Sequence, residues 1–524
     1  MLEDYKEGFT IEDVDGQYLD SYSSLEVHKM MLDDTERMQF YRRVLSSVPN
    51  PNSASNPNDH GEDPSMPPCS SSVQGEVVVD VGSGTGVLSM WAAQYGMARH
   101  VFAVEGCAKV AALSSQLILD NGLEKSITVV STTVEDLVGR GVDDFILRYQ
   151  GILSVGEGIQ CRTIGVVLSE WMGFYLFHEG MLASVLRARD FFSEVNRRIF
   201  LEGQRKKLEV CGQEDERGDG AQKKEKWSYE DFVPLMIPAV GRIHCAPITL
   251  APLFQRYASS PAPLLAHSQH EISKLLGRKG EEKEKEKASV KEEKASVETA
   301  TCKKLWGLKL ERFVQQWLEE KINANEGLLV ESLTEECIYP GWSSEKYHQH
   351  NTACWFDFRV VKLSEVQHLK FSFHFSFEQR SIDKEEEEGQ RKRNAKNQEA
   401  VEIVNENSAL DGFAVWFDVH HVDQRCMRQV VLGRGGDLYS LNGSTKNFEC
   451  PVGAAHCLRT GPCDAPTHWK QCVLLLPAEC RREADPIITA KKIRASEDPV
   501  LRVALSMDVD EHNPRVYHLS FELE

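Results

Sequence analysis

The chain has 524 residues, of which 41% are hydrophobic, enough for two or three domains with a sizeable core. Its formal net charge of −20 favours basic partners and argues against direct nucleic-acid or membrane binding. The N-terminus is acidic without an apolar signal region. No apolar run approaches the ~18 residues of a membrane helix, and the 14 cysteines include no C-x-x-C pair, so they read as reduced thiols rather than disulfides or a zinc site.

In chain order, residues 18–45 read as a helical pair, with Val27, Met30, Met31, Met38 and Tyr41 at helical spacing for core packing. Residues 49–72, rich in Pro, Ser and Asn, read as a flexible linker. The organising stretch follows at Val77 to Val87, VVVDVGSGTGV: a strand ending near Asp80, a turn with Gly82, Gly84 and Gly86, then a helix. This is the opening unit of a doubly wound α/β domain, here given the limits 73–192. The spacing is G-x-G-x-G rather than the dinucleotide G-x-G-x-x-G.

Further strands are expected at His100–Val104, Ile127–Ser131 and Ile164–Leu168, with an irregular stretch from Gly139 to Arg162 before the last. Each strand is followed closely by an acid, giving Asp80, Glu105, Glu135 and Glu170. Ligands of such sheets bind outside the carboxyl ends of the strands. Four acids in one crevice suit a ribose, an adenine amino group and a cation, and suit a pyrophosphate badly. That points to S-adenosylmethionine rather than a nicotinamide.

Glu170 and Glu179 lie in SEWMGFYLFHEGML, with Gly173 between them to let the chain bend. A loop aiming both carboxylates into one pocket would bind a guanidinium, which is planar, always charged and donates in a fork. The competing reading of these two acids is a surface loop. After Phe192 the signal is β. Phe371 to Phe377, Leu501 to Met507 and Tyr517 to Leu523 alternate apolar with polar, and Phe413–Val419 and Cys472–Leu476 read as buried strands. Three charged insertions, 202–226, 277–300 and 380–408, read as solvated segments, either exposed helix or disordered.

Taken together, YLDSY, HKMMLDDTER, VVVDVGSGTGVLS, VFAVE, TVEDL, SEWMGFYLFHEGML, LWGL and THWKQ occur in the order found in protein arginine N-methyltransferases. The chain resembles the type I class of that family. The resemblance implies a helical cofactor lid over 1–48 and a Rossmann-like S-adenosylmethionine-dependent methyltransferase domain. A β-barrel would follow over 193–524, with a helical dimerisation arm near 250–322. It further implies cofactor contacts from His28, Arg37 (to the carboxylate), Asp80, Gly82, Gly84, Glu105 (ribose) and Glu135 (adenine). Glu170 and Glu179 would hold the substrate guanidinium, and Glu179 or His468 would take its proton. Tyr22, Met31 and Trp469 would line the pocket.

Leu19 stands where the family usually has Phe. The implied substrates are basic Arg-rich proteins, histones or RNA-binding proteins, giving monomethyl- and asymmetric dimethylarginine. A homodimer is implied, in cytoplasm and nucleus; Arg391-Lys392-Arg393 is only a poor basic cluster for nuclear entry. The competing readings are a catalytically weak relative acting as a scaffold through its insertions, and a small-molecule methyltransferase or dehydrogenase on the same fold.

Overall fold

The computed structural model describes residues 16, 18–46, 72–153, 163–210, 228–250, 252–253, 328–338, 352–376, 410–422, 455–476 and 500–523. Two helices, α1 (Leu25–Asp33) and α2 (Thr35–Leu45), are separated by Asp34, whose carboxylate caps α2 at the Arg37 N–H. Phe40, Tyr41, Val44 and Leu45 of α2 are buried, whereas Met30, expected in the core, is half exposed. Alternating strands and helices follow: β1 (Val77–Val81), α3 (Val87–Gln94), β2 (His100–Glu105), α4 (Ala108–Asp120), β3 (Ile127–Ser131), α5 (Val134–Arg140), α6 (Val142–Leu153), β4 (Ile164–Ser169), α7 (Leu182–Val210) and β5 (Leu235–Ile237). The strands are almost entirely buried and rich in Val and Ile, as strands covered on both faces must be.

They form a parallel sheet of order β3-β2-β1-β4-β5. The order reverses between β1 and β4, so a crevice opens beyond Asp80 and Glu170. Val81 lies opposite Ser169 and Val104 in register.

Two expectations are corrected here. Part of the stretch from Gly139 to Arg162 is helical rather than irregular: α6 occupies Val142–Leu153, with a kink at Tyr149, and 154–162 lie outside the described residues. Phe145 and Tyr149 pack on Phe102 with ring centroids 5.5 and 4.9 Å away, so burial of that aromatic face fixes a helix where the flanking glycines suggested a loop. The α/β layer also runs past residue 192, because α7 continues through Val210 and β5 joins β4 in parallel.

The remaining strands are β6 (Val240–Ile248), β7 (Leu328–Glu331), β8 (Thr352–Asp357), β9 (His368–Ser376), β10 (Gly412–Val422), β11 (Ala455–Arg459), β12 (Gln471–Leu475), β13 (Val500–Val509) and β14 (Tyr517–Leu523); a helical turn, α8 (Leu363–Val366), precedes β9. One antiparallel sheet has the order β7-β12-β10-β6-β8 with β11 on β10, and a second has β14-β13-β9. Phe413 meets Phe375 and Phe521 across the two sheets. The linker 49–71, the insertions 277–300 and 380–408, and all of the arm beyond residue 253 lie outside the described residues.

Candidate active site

The Gly loop takes a backbone conformation that favours glycine. Gly82, Gly84 and Gly86 all have positive φ, and a Cβ on Gly82 would lie 2.2 Å from Met181 Cε. Beside the loop, the carboxylate at the end of β2 ties two backbone segments together. Glu105 Oε2 accepts from Gly84 N (2.8 Å) and Oε1 from Cys107 N (2.7 Å). Asp80, fully buried at the end of β1, accepts from Ser89 Oγ at 2.6 Å. Burial pushes its carboxyl up to about 7, against the Ser89 hydrogen bond that lowers it. Asp80 Oδ1 and Ser83 Oγ are buried without a hydrogen bond among the described residues. A polar ligand seated on the loop would supply their partners.

The helical lid closes over this loop. His28 is buried, with its ring beside Gly84 and Nε2 2.9 Å from the Tyr22 carbonyl oxygen. Leu19, in place of an aromatic, lies against Gly106 just after Glu105. Glu135 Oε1 accepts from Ser184 Oγ (2.7 Å) and Arg187 Nη1 (3.0 Å) of α7, so the carboxylate expected to meet an adenine also serves a surface ion pair.

Beyond β4 the chain turns tightly. Gly173 and Leu176 exchange two 3.1 Å backbone hydrogen bonds, and a Cβ on Gly173 would lie 2.1 Å from the His178 carbonyl oxygen. Tyr175, Leu176 and Glu179 are held at positive φ, a conformation costly outside glycine. The buried side chains of Trp171, Tyr175, Leu176 and Phe177 hold the turn in place. Across it Glu170 and Glu179 lie close enough for the charge of one to act on the other.

Arg37 binds Glu170 Oε2 through Nε (2.9 Å) and Nη2 (2.8 Å), with both side chains 8% exposed. Its Nη1 donates to the Met31 carbonyl, so Met31 contributes backbone as well as its partly buried side chain. Glu170 Oε1 is buried and accepts no hydrogen bond among the described residues. Glu179 Oε2 accepts from Tyr22 OH. Burial pushes the Glu179 carboxyl above the usual carboxylate range; the Tyr22 hydrogen bond opposes this and the charge of Glu170 adds to it.

The barrel supplies the opposite wall. Trp469 is buried, meets Phe417 edge to face and donates from Nε1 to the Met172 carbonyl at 2.7 Å. His468 Nδ1 lies 2.6 Å from Asp34 Oδ2, which also accepts the His468 backbone N–H at 2.8 Å. Burial raises the Asp34 carboxyl, but the hydrogen bonds from His468 and the Arg37 backbone outweigh it and hold it below its ordinary value. An ionised Asp34 accepts a hydrogen bond from Nδ1–H, which leaves Nε2 of His468 as the acceptor.

Three participants escaped sequence reasoning. Asp34 carried a readable signal, an Asp before Thr35-Glu36-Arg37 as a helix N-cap, but nothing tied it to residue 468. Tyr18 and Arg515 carried none. The Arg515 guanidinium sits 3.8 Å from the centroid of the Tyr18 ring and donates to the Glu179 carbonyl oxygen at 3.2 Å.

With this geometry in view, the chain compares closely with known proteins. It is 34% identical over 198 residues to protein arginine N-methyltransferase 1 of Caenorhabditis elegans, covering 38% of this chain and 45% of the relative. It is 34% identical over 176 residues to protein arginine N-methyltransferase 6 of Danio rerio, covering 34% and 38%. The matched segments thus span less than half of these curated relatives. No family model matches the sequence. Among solved structures, PRMT6 superposes with a TM-score of 0.57 at 26% identity, covering 96% of this chain and 100% of that one. A second, described as PRMT6-SAH, gives 0.54 at 25%.

This is the fold of a protein arginine N-methyltransferase. Within that arginine methyltransferase fold, the Gly loop, Glu105, Arg37, the two glutamates and the Thr467-His468-Trp469 segment converge on one crevice between the layers. The residues fit S-adenosylmethionine: a sharply turned Gly loop, an acid at the end of β2, and buried polar atoms on Asp80 and Ser83 that await a ligand.

Proposed function

We propose that the protein is an S-adenosylmethionine-dependent protein arginine N-methyltransferase of type I. It methylates arginine in basic proteins, histone tails or Arg/Gly-rich RNA-binding proteins, to monomethyl- and asymmetric dimethylarginine. It works as a homodimer, in cytoplasm and nucleus.

One observation carries the reading. Two glutamates of opposite setting share a turn: Glu170 is held by Arg37 and its buried Oε1 accepts no hydrogen bond among the described residues, whereas the Glu179 carboxylate accepts from the Tyr22 hydroxyl. A guanidinium supplies donors to both carboxylates at once. A groove of about 570 Å³ opens beside His468 and is lined by Glu26, Asp33, Asp34 and Glu36 together with Lys29. Its acidic wall suits a basic chain approaching the site.

S-adenosylmethionine, when bound, supplies a methyl group already activated on sulfur. The protein supplies placement. Glu170 and Glu179 orient the guanidinium and concentrate its charge away from the reacting nitrogen. The proton shed by that nitrogen has two acceptors at hand, Glu179 and His468 Nε2, the latter aligned by Asp34. The test is incubation of the full chain with methyl-labelled S-adenosylmethionine and either an Arg-rich peptide or its all-Lys counterpart. Label on the Arg peptide alone is expected. Label on neither, with cofactor binding intact, would favour a scaffold relative and refute the enzyme.

A further inference from the structure

The barrel holds a second cluster of chemistry-bearing side chains that the arginine reading does not use. Along β10, Phe413, Val415, Phe417 and Val419 enter the main core, and the alternate residues Trp416, Asp418 and His420 face the other way. Register decides what meets them. His420 lies opposite Cys457 on β11, Asp418 lies between Arg459 on β11 and Arg242 on β6, and Trp416 lies opposite His244.

One atom each from Asp418, His420 and Cys457, a carboxylate oxygen, an imidazole nitrogen and a thiol sulfur, all fall within 4.8 Å of one another. His420 Nε2 and Cys457 Sγ are 3.7 Å apart. For tetrahedral zinc, with Zn–N near 2.0 Å and Zn–S near 2.3 Å, that edge is about 3.5 Å. Asp418 is 1% exposed, and its Oδ1 is buried without a hydrogen bond among the described residues. Its Oδ2 is 3.0 Å from His244 Nε2, the kind of outer hydrogen bond that orients a ligating carboxylate.

We propose that Asp418, His420 and Cys457 bind one divalent cation of the zinc class, pinning β11 against β10. A thiolate and an imidazole select zinc over magnesium or calcium, which take oxygen ligands. On binding, the cation replaces the thiol proton of Cys457, which leaves to water. His420 gives a nitrogen lone pair and Asp418 stays ionised, so two ligand charges balance the metal's two. Arg242 and Arg459 face the same cluster. Their charge opposes a free cation but favours the thiolate, and the neutral metal–ligand set removes the conflict.

The consequence for the fold is local. Thr460, next after β11, donates to the Phe417 carbonyl (2.7 Å), and its own carbonyl accepts from Gln471 Nε2 (2.7 Å), at the foot of the loop that carries His468. A metal at Cys457 would therefore steady that loop from behind. The inference does not depend on the methyltransferase reading. The sequence carries no sign of this site, because its ligands sit on two strands with no short-range spacing such as C-x-x-C.

The test uses the full-length protein, purified without metal-affinity resin and equilibrated in a zinc buffer. Elemental analysis is expected to find one zinc per chain, absent from Cys457→Ser and His420→Ala. Replacement by cobalt is expected to give a near-ultraviolet sulfur-to-metal band in the wild type that Cys457→Ser lacks. X-ray absorption at the zinc edge of the wild type, which needs no variant to fold, is expected to show a single sulfur with nitrogen and oxygen. No bound metal in the wild type, equal metal in the variants, or a shell with no sulfur or with several would each overturn the proposal.

Discussion

Replacing Glu179 by glutamine separates catalysis from stability. The amide keeps the side-chain shape and leaves an oxygen to accept the Tyr22 hydroxyl, but it removes the charge. Against a guanidinium about 4 Å away, at an effective dielectric near 20, one charge pair is worth about 4 kcal/mol. At 1.36 kcal/mol per decade this is a loss of about 10³-fold in kcat/KM for an Arg-rich peptide.

Stability should move the other way. The folded carboxyl of Glu179 titrates above its unfolded value because burial penalises its charge. The native state therefore holds the proton to higher pH than the unfolded chain, and ionisation above that range costs stability. Glutamine removes the cost, so the Tm of Glu179→Gln at neutral pH should equal or exceed that of the wild type. By the same argument, wild-type kcat/KM should fall as acid protonates Glu179, along a limb that the variant lacks. The assay is steady-state methyl transfer across pH, paired with thermal unfolding. A kcat/KM within tenfold of wild type would exclude a charged Glu179 as the guanidinium partner, and a Tm several degrees lower would exclude a cost of burying its charge.

Other perturbations probe the supports of the site. Gly173→Ala places a Cβ against the His178 carbonyl oxygen, a backbone clash that should cost about 2–4 kcal/mol and disorder the turn; an unchanged Tm and activity would show that the turn is not needed. Arg515→Ala removes the guanidinium from the Tyr18 ring and the Glu179 carbonyl, a contact of about 1–2 kcal/mol. The peptide KM should rise roughly five- to thirty-fold, with partial recovery in Arg515→Lys, and a KM unaffected by both would dismiss Arg515 as a positioning residue. Asp34→Asn leaves His468 without its ionised partner; if His468 takes the proton, kcat should drop about 10²-fold with a displaced pH profile, and a change confined to KM would assign the proton to Glu179.

The α/β half was legible because its signals are local. A run of β-formers into Asp80, three glycines and an apolar helix specify strand, turn and helix within a dozen residues. The strands of β9, β10, β12, β13 and β14 were likewise visible from alternation or apolar runs. What failed was decided by packing at a distance. The helix α6 hid behind Gly139 and Gly141 because its reason to form is the aromatic contact of Phe145 and Tyr149 with Phe102. β5 is three residues long and exists because β4 offers an open edge. Within the site, Glu170 and Glu179 could be paired from sequence, since one turn joins them. The Asp34–His468 and Arg515–Glu179 contacts bridge lid, turn and barrel across hundreds of residues, and only the folded chain brings them together.

Isomer-resolved mass spectrometry of an Arg-rich peptide after turnover shows whether this crevice methylates arginine twice on one nitrogen. Monomethylarginine and asymmetric dimethylarginine are expected, with Met31→Phe shifting their ratio if Met31 lines the pocket beside the methylated nitrogen. Symmetric dimethylarginine from the wild-type protein would contradict the type I assignment, and an unmodified peptide in the presence of bound S-adenosylmethionine would contradict arginine methylation itself.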